Sequence, residues 1–164
     1  MTICDFRLAA FLPYRLAVLS ERISRRLSRI YEAEAGLSMA EWRVMVHLSR
    51  CGAVSVREIH GCVNLDKPRV SRAVGRLEES GLVEKTSSPT DQRLLVISLS
   101  AAGRALLDRI LPPAIAYESR LLAALSSEDR VALDRIMEKL HRVMDADPEA
   151  RPRSRLDIPR DAAE

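Results

Sequence analysis

The sequence predicts a mainly α-helical fold interrupted once by a small β-hairpin. Three observations carry that prediction. Apolar residues recur at intervals of three and four through most of the chain, the spacing of amphipathic helices. Serine followed three residues later by glutamate, at Ser38 to Glu41 and Ser55 to Glu58, marks two helix starts, because each side chain satisfies an amide that the first turn leaves free. Only the stretch 82–99 changes to short strand-like runs, set around a loop rich in turn formers.

Taken in order, Leu12, Leu16, Leu19, Ile23, Leu27 and Ile30 predict a long helix over about 11–35, stopped by Gly36. A second helix carries Trp42, Val46 and Leu48 to about Arg50, and a short third spans 55–62. A fourth begins near Asp66, tolerates Pro68 in its first turn and stops at Gly81. Leu82–Thr86 and Leu94–Leu99 are strands joined by "SSPTDQR". Two strands are marginal by themselves, so Ala53–Ser55 is expected to add a third partner. Ser100 caps another long helix, in which Pro112 and Pro113 should remove hydrogen bonds and cause a kink. The pattern restarts at "LSSED", with Leu133, Ile136, Leu140 and Val143 in a heptad-like stripe. From Asp147 onward three prolines and four arginines with few apolar anchors predict a disordered basic tail, 147–164.

The 164 residues suit one compact domain, here 1–146, with a net charge of only +3, so any basic surface must come from clustering. Cys4, Cys51 and Cys62 are odd in number and lack metal-ligand spacing, which predicts a reducing, cytoplasmic setting. No apolar run has the length of a membrane span and no signal peptide is evident, so no membrane partner is expected. His47, His60 and His141 are scattered, which argues against a metal site. The chain carries no phosphate loop, dinucleotide fingerprint or nucleophile elbow. Neither an enzyme nor a cofactor is expected.

The unusual chemistry lies in "KPRVSRAVGRLEESGL". On a helical wheel Val70, Ala73, Val74 and Leu77 share the face to be buried, and Arg69, Arg72 and Arg76 fall in a separate arc flanked by Lys67 and Ser71. Cations toward the N-terminus and Glu78 and Glu79 at the C-terminus both oppose the helix dipole, and a broken local rule points to function. A charged helix face can be merely solvated. Here the preceding short helix and turn make a helix-turn-helix, whose second helix enters the major groove of DNA. The hairpin adds Arg93, suited to a narrow minor groove, with Asp91 two residues earlier to hold the guanidinium. The arrangement is a winged helix.

The succession "LSMAEWRVMVHLS", "LDKPRVSRAVGRLEESGLVEK" and "DQRLLVISLSAAGRAL" resembles the MarR family of bacterial transcription regulators over roughly residues 11–146. The resemblance implies a homodimer joined by intertwined terminal helices, 11–35 and 101–146, and a winged-helix part, about 37–100, that binds pseudo-palindromic double-stranded DNA. It places Arg69, Ser71, Arg72 and Arg76 on the recognition helix and Asp91 and Arg93 at the wing tip, with Lys67 beside the first group. Gln92 stands where the family often has a further basic residue, and Ser100 where it usually has threonine. The resemblance also implies a small aromatic or anionic effector, held between the dimerisation helices and the winged helix, that releases a repressor from DNA. Trp42 matches a position that often lines that pocket but is equally readable as a core anchor. Arg15, Arg22 and Arg26, with Arg29 and Tyr14, are candidates to neutralise such a ligand, although a solvated face is the simpler reading of those arginines. Two alternatives remain: a thiol-based redox regulator using Cys4, and a winged-helix module that binds protein without DNA.

Overall fold

A computed structural model of the protein describes residues 6–88 and 94–155. Six helices and one hairpin follow in the expected order. After a single 3-10 turn, α1 spans Leu12–Ala35 and ends at Gly36, whose φ of 63° lies in the left-handed region that glycine adopts without strain. α2 spans Met39–Cys51 and α3 Val56–Cys62, each opened by a complete capping box. In the first, the Glu41 amide donates to Ser38 Oγ at 3.3 Å and the Ser38 amide donates to Glu41 Oε2 at 2.6 Å. α4, Lys67–Glu79, is capped instead by Asp66, which accepts from the Arg69 amide at 2.7 Å.

The strands β1, Val83–Ser87, and β2, Leu95–Leu99, pair antiparallel with Val83 opposite Leu99. Val54 forms an isolated bridge to Ile97 through two backbone hydrogen bonds of 3.0 and 2.8 Å, which is the third partner expected near Ala53–Ser55. α5, Ala101–Leu122, and α6, Ser127–Asp145, complete the chain. Pro112 and Pro113 cannot donate to the carbonyls four residues back, yet both lie inside one continuous α5. A Ser126 to Asp129 capping box starts α6 and holds the Asp129 carboxyl below its usual range through hydrogen bonds from Ser126.

The core lies where α2, α3, α4, the hairpin and the first half of α5 meet, around Met45, Ile59, Val70, Val74, Leu77, Ile97 and Ile110. α1 joins it through Tyr31 near its C-terminal end, and the Tyr31 ring stacks on Trp42 at 5.5 Å. The rest of the apolar surface is uncovered. Leu12, Leu16 and Leu19 of α1 and Val131, Leu133, Ile136 and Val143 of α6 are all exposed, Val131 by 69%.

The expectation of a disordered tail from Asp147 is corrected over residues 147–155, while 156–164 lie outside the described residues. The Arg153 side chain is only 7% exposed and pairs with Glu138 at 2.9 Å and Asp145 at 3.1 Å on α6. Hydrogen bonds from Arg153 and Arg142 hold the Glu138 carboxyl below its ordinary range. Arg151 donates to the Leu65 carbonyl at 3.0 Å, and Ser154 Oγ donates to the Cys62 carbonyl. The arginines that suggested solvation thus bind α6 acids and backbone oxygens of the α3–α4 turn. Residues 151–155 form a strap from one to the other.

Where the hairpin meets α5, Ser100 Oγ accepts from the Gly103 amide at 3.0 Å and donates to the Gly81 carbonyl at 2.7 Å. A Cβ on Gly103 would fall far inside the contact distance of the Leu82 carbonyl oxygen, so this approach requires glycine. Gly103→Ala should therefore destabilise the protein by at least the ~1–3 kcal/mol of an overpacked core, measured by urea unfolding. Gly36→Ala, strained but with open space around it, should cost less.

Candidate nucleic-acid interface

The surface of α4 follows from its sequence period. Val70, Ala73, Val74 and Leu77 are buried against α2, α3 and the hairpin. Lys67, Arg69, Ser71, Arg72 and Arg76 are all exposed. Arg72 and Lys67 make no ion pair among the described residues, while Arg69 Nε lies 3.5 Å from Asp66 Oδ2 across solvent-exposed side chains. Such a contact is worth little and leaves the guanidinium available. Arg76 approaches Glu41 at 3.9 Å. Three cations at spacings of three and four along one helix thus remain open to phosphate oxygens or guanine edges.

Two features of this surface were not evident from the charge pattern. The first is Glu41. Its carboxylate closes the capping box of α2, is 8% exposed, and faces Arg76 across the junction of α2 and α4. Together Ser38, Met39 and Glu41 at the start of α2 and Arg69, Arg72 and Arg76 of α4 line a cleft of about 320 Å³. The Glu41 carboxylate already takes the amide at this helix start and faces Arg76, so of the three arginines on the other wall Arg69 and Arg72 are the ones left to an outside anion such as a phosphate. The second feature is Gly75. It sits inside α4, and a Cβ there would meet nothing within 4 Å. Glycine in a helix interior costs roughly 0.5–1 kcal/mol relative to alanine, and no packing contact within the chain requires it.

The wing is anchored to α4. Lys85 on β1 pairs with Glu78 near the end of α4, so the acid that opposes the helix dipole serves as a hairpin tether. Asp91 and Arg93, the expected wing-tip pair, lie outside the described residues, as does Cys4.

The candidate effector residues are not brought together. Trp42 lines a cleft walled by Arg43, His47, Arg50, Val63 and Ser154, whereas Arg15, Arg22 and Arg26 of α1 are not among its walls. Arg26 lies over the Tyr117 ring at 5.6 Å, and the Tyr117 hydroxyl donates to the Ile23 carbonyl at 3.3 Å, so this arginine helps fix α1 on α5.

Comparison with known proteins places the fold among transcriptional regulators. A sequence model described as MarR family matches residues 35–94, from the end of α1 to the start of the second strand. An HTH-type transcriptional repressor of Mycobacterium tuberculosis is 29% identical over 141 residues, covering 85% of this chain and 98% of that protein. The crystal structure of a MarR/EmrR family transcriptional regulator from Acinetobacter superposes with a TM-score of 0.76 at 28% identity, covering 85% of this chain and 99% of the other. A Streptomyces coelicolor MarR family regulator, solved in complex with DNA, shares the fold with a TM-score of 0.74 at 23% identity over 85% of this chain and 89% of its own. Helix order, hairpin, cationic α4 and relatives all describe a DNA-binding protein and not an enzyme. Together these comparisons support placing the chain among the MarR family transcriptional regulators, which it resembles in sequence over residues 35–94 and in fold over 85% of its length.

Proposed function

We propose that the protein is a homodimeric repressor that grips pseudo-palindromic double-stranded DNA and is released by a small aromatic or anionic effector. The observation that carries DNA binding is the exposed face of α4: Lys67, Arg69, Ser71, Arg72 and Arg76 stand above a fully buried apolar strip, with no apolar anchor among them. A protein-binding surface is built around buried aromatic or aliphatic anchors, so that chemistry favours phosphates and base edges over a protein partner. Arg93, by the resemblance of the wing, serves the adjacent minor groove, with Asp91 as its brace.

Dimerisation is supported by the uncovered apolar residues of α1 and α6, which a second copy would bury. Two α4 helices would then meet successive major grooves one turn of DNA apart, roughly 34 Å. A ligand that binds better to a dimer with another spacing would release the operator by shifting the population. Gly75 fits the same reading. Without a side chain, the outer face of α4 lies closer to the groove floor, and the stability lost in the free protein is the cost of that approach.

Operator affinity at several salt concentrations tests the assignment with alanine variants of Arg69, Arg72, Arg76 and Arg93. A residue that reads a base should cost about 1–3 kcal/mol per site and relax preference at one operator position. One that meets only phosphate should weaken all sequences alike and flatten the salt dependence by about one unit. Each change occurs twice in the dimer, so the losses should be about double. Four variants that bind like the parent would overturn the proposal in favour of a protein partner.

Gly75→Ala makes a sharper separation. The free protein should gain roughly 0.5–1 kcal/mol of stability in urea unfolding while operator affinity falls. Equal or better binding would show that nothing approaches that face. In sedimentation at micromolar concentration the protein should run as a dimer, and a folded monomer would contradict the proposed architecture.

A further inference from the structure

The α3–α4 turn is gripped from two sides. A helix end leaves its last carbonyls without partners. Here every carbonyl from Cys62 to Leu65 accepts a hydrogen bond from a side chain outside the helix-turn-helix. Arg43 of α2 donates to Val63 and Asn64 at 3.3 and 3.5 Å. Ser154 and Arg151 of the strap take the other two, Cys62 and Leu65, the second at 3.0 Å. Arg155 extends the contact, its side chain 3.8 Å from where a Cβ on Gly61 of α3 would stand. Within this bracket Asn64 takes a φ of 49°, and Leu65 leads directly into the Asp66 cap of α4.

The other end of the strap is fixed to α6. Glu138 and Asp145 lie about two helical turns apart and so share one face of that helix. Arg153 pairs with both, at 2.9 and 3.1 Å, and its side chain is 7% exposed. A sheltered ion pair is weak evidence for stability; its best-attested use is to select one arrangement of two elements over others. α6 buries none of its own residues, so within one protomer no packed apolar stripe sets its place relative to α4.

We propose that Arg151, Arg153 and Ser154 are positioning residues for α4. They touch no DNA. The strap they form locks the turn that sets the angle of α4 onto α6, the helix offered to a second copy. The distance between the two α4 helices of a dimer is thereby fixed, and operators whose half-sites stand at another distance are rejected. One base pair more or less moves a half-site by about 3.4 Å and turns it by about a tenth of a revolution, which a joint held on both sides does not follow. This inference rests on the DNA-binding dimer proposed above and adds what sets its spacing.

The test uses the full chain and a duplex that the parent protein selects from random-sequence DNA. The same duplex is also made one base pair longer and one shorter between its half-sites. The parent should prefer the selected spacing by at least about tenfold, or 1.4 kcal/mol. Arg151→Ala and Arg153→Ala should remain dimers in sedimentation and lower that preference at least about threefold, with the salt dependence of binding unchanged. Arg153→Lys, which keeps a cation between the two acids, should recover part of the loss. Arg142→Ala takes the other cation from Glu138 but leaves the strap alone, and should behave like the parent. Without DNA, amide exchange over residues 62–67 should quicken at least about threefold in Arg151→Ala. Arg151 is exposed, so its variant remains informative if Arg153→Ala does not fold.

The positioning role is overturned if both variants keep the parent's preference, or if affinity falls by one factor at every spacing, as a merely weakened fold would give. A salt dependence flatter by about one unit would show that the lost arginine meets phosphate itself, and that also overturns it. Unchanged exchange over residues 62–67 would show that the strap does not hold the turn. A parent that selects no duplex overturns the DNA-binding reading and the positioning role with it. A parent that selects one, with variants that share its preference, overturns the positioning role alone.

Discussion

Ser100 is the joint on which the rest of the molecule turns. Its hydroxyl caps α5 through the Gly103 amide and binds the Gly81 carbonyl, while its own amide donates to the Leu82 carbonyl at 3.1 Å. Gly103 lets the first turn of α5 close onto the same Leu82 oxygen. One residue therefore fixes the base of the hairpin and the exit from α4 to the start of the longest helix of the C-terminal half. Any rotation of α5 has to carry the hairpin base with it or break bonds that are largely sheltered from water. Removing the hydroxyl would leave both a bare helix end and an unpaired carbonyl, each worth about a kcal/mol or more.

The charge arrangement of α4 is less unfavourable than its sequence suggests. Asp66 places a carboxylate at the cap, where the helix dipole favours an anion, and so offsets the cations that follow. Glu78 and Glu79 stand at the unfavourable end, but Glu78 gains Lys85 of β1. Glu41 joins two roles by closing the start of α2 and facing Arg76 of α4. The acids around α4 thus hold its frame, while Lys67 and Arg72 make no ion pair among the described residues and Arg69 and Arg76, themselves solvent-exposed, keep only long contacts with acids.

The architecture was largely legible because its signals are local. Both Ser-x-x-Glu boxes, the Asp66 start, the Gly36 stop and the Ser100 cap state helix limits within four residues of sequence, and the period of three and four states the buried face of α4. The strap was not legible. Pro148, Pro152 and four arginines have the composition of a solvated tail, and what orders residues 151–155 is a set of contacts 86 to 92 positions away, to the backbone oxygens of Leu65 and Cys62. Backbone acceptors carry no residue type, so nothing in the sequence announces them. The effector candidates were separated for a related reason: Arg22 and Arg26 share a helix face with each other but not a wall with Trp42, and only the packing of α1 on α5 shows it.

The order of the small sheet has a consequence for how the protein behaves at high concentration. Val54 and β1 flank β2, so β1 is an outer strand with one row of backbone groups facing away from the sheet. Such a row invites a foreign strand to add itself and begin an aggregate. Here the strand is five residues long, its last four side chains are exposed, and they read Glu84, Lys85, Thr86 and Ser87. Adjacent opposite charges, with Lys85 held by Glu78, make a flat apolar addition unfavourable. The outer strand of the hairpin is therefore guarded against joining its own kind, which keeps copies of the protein apart when their concentration rises.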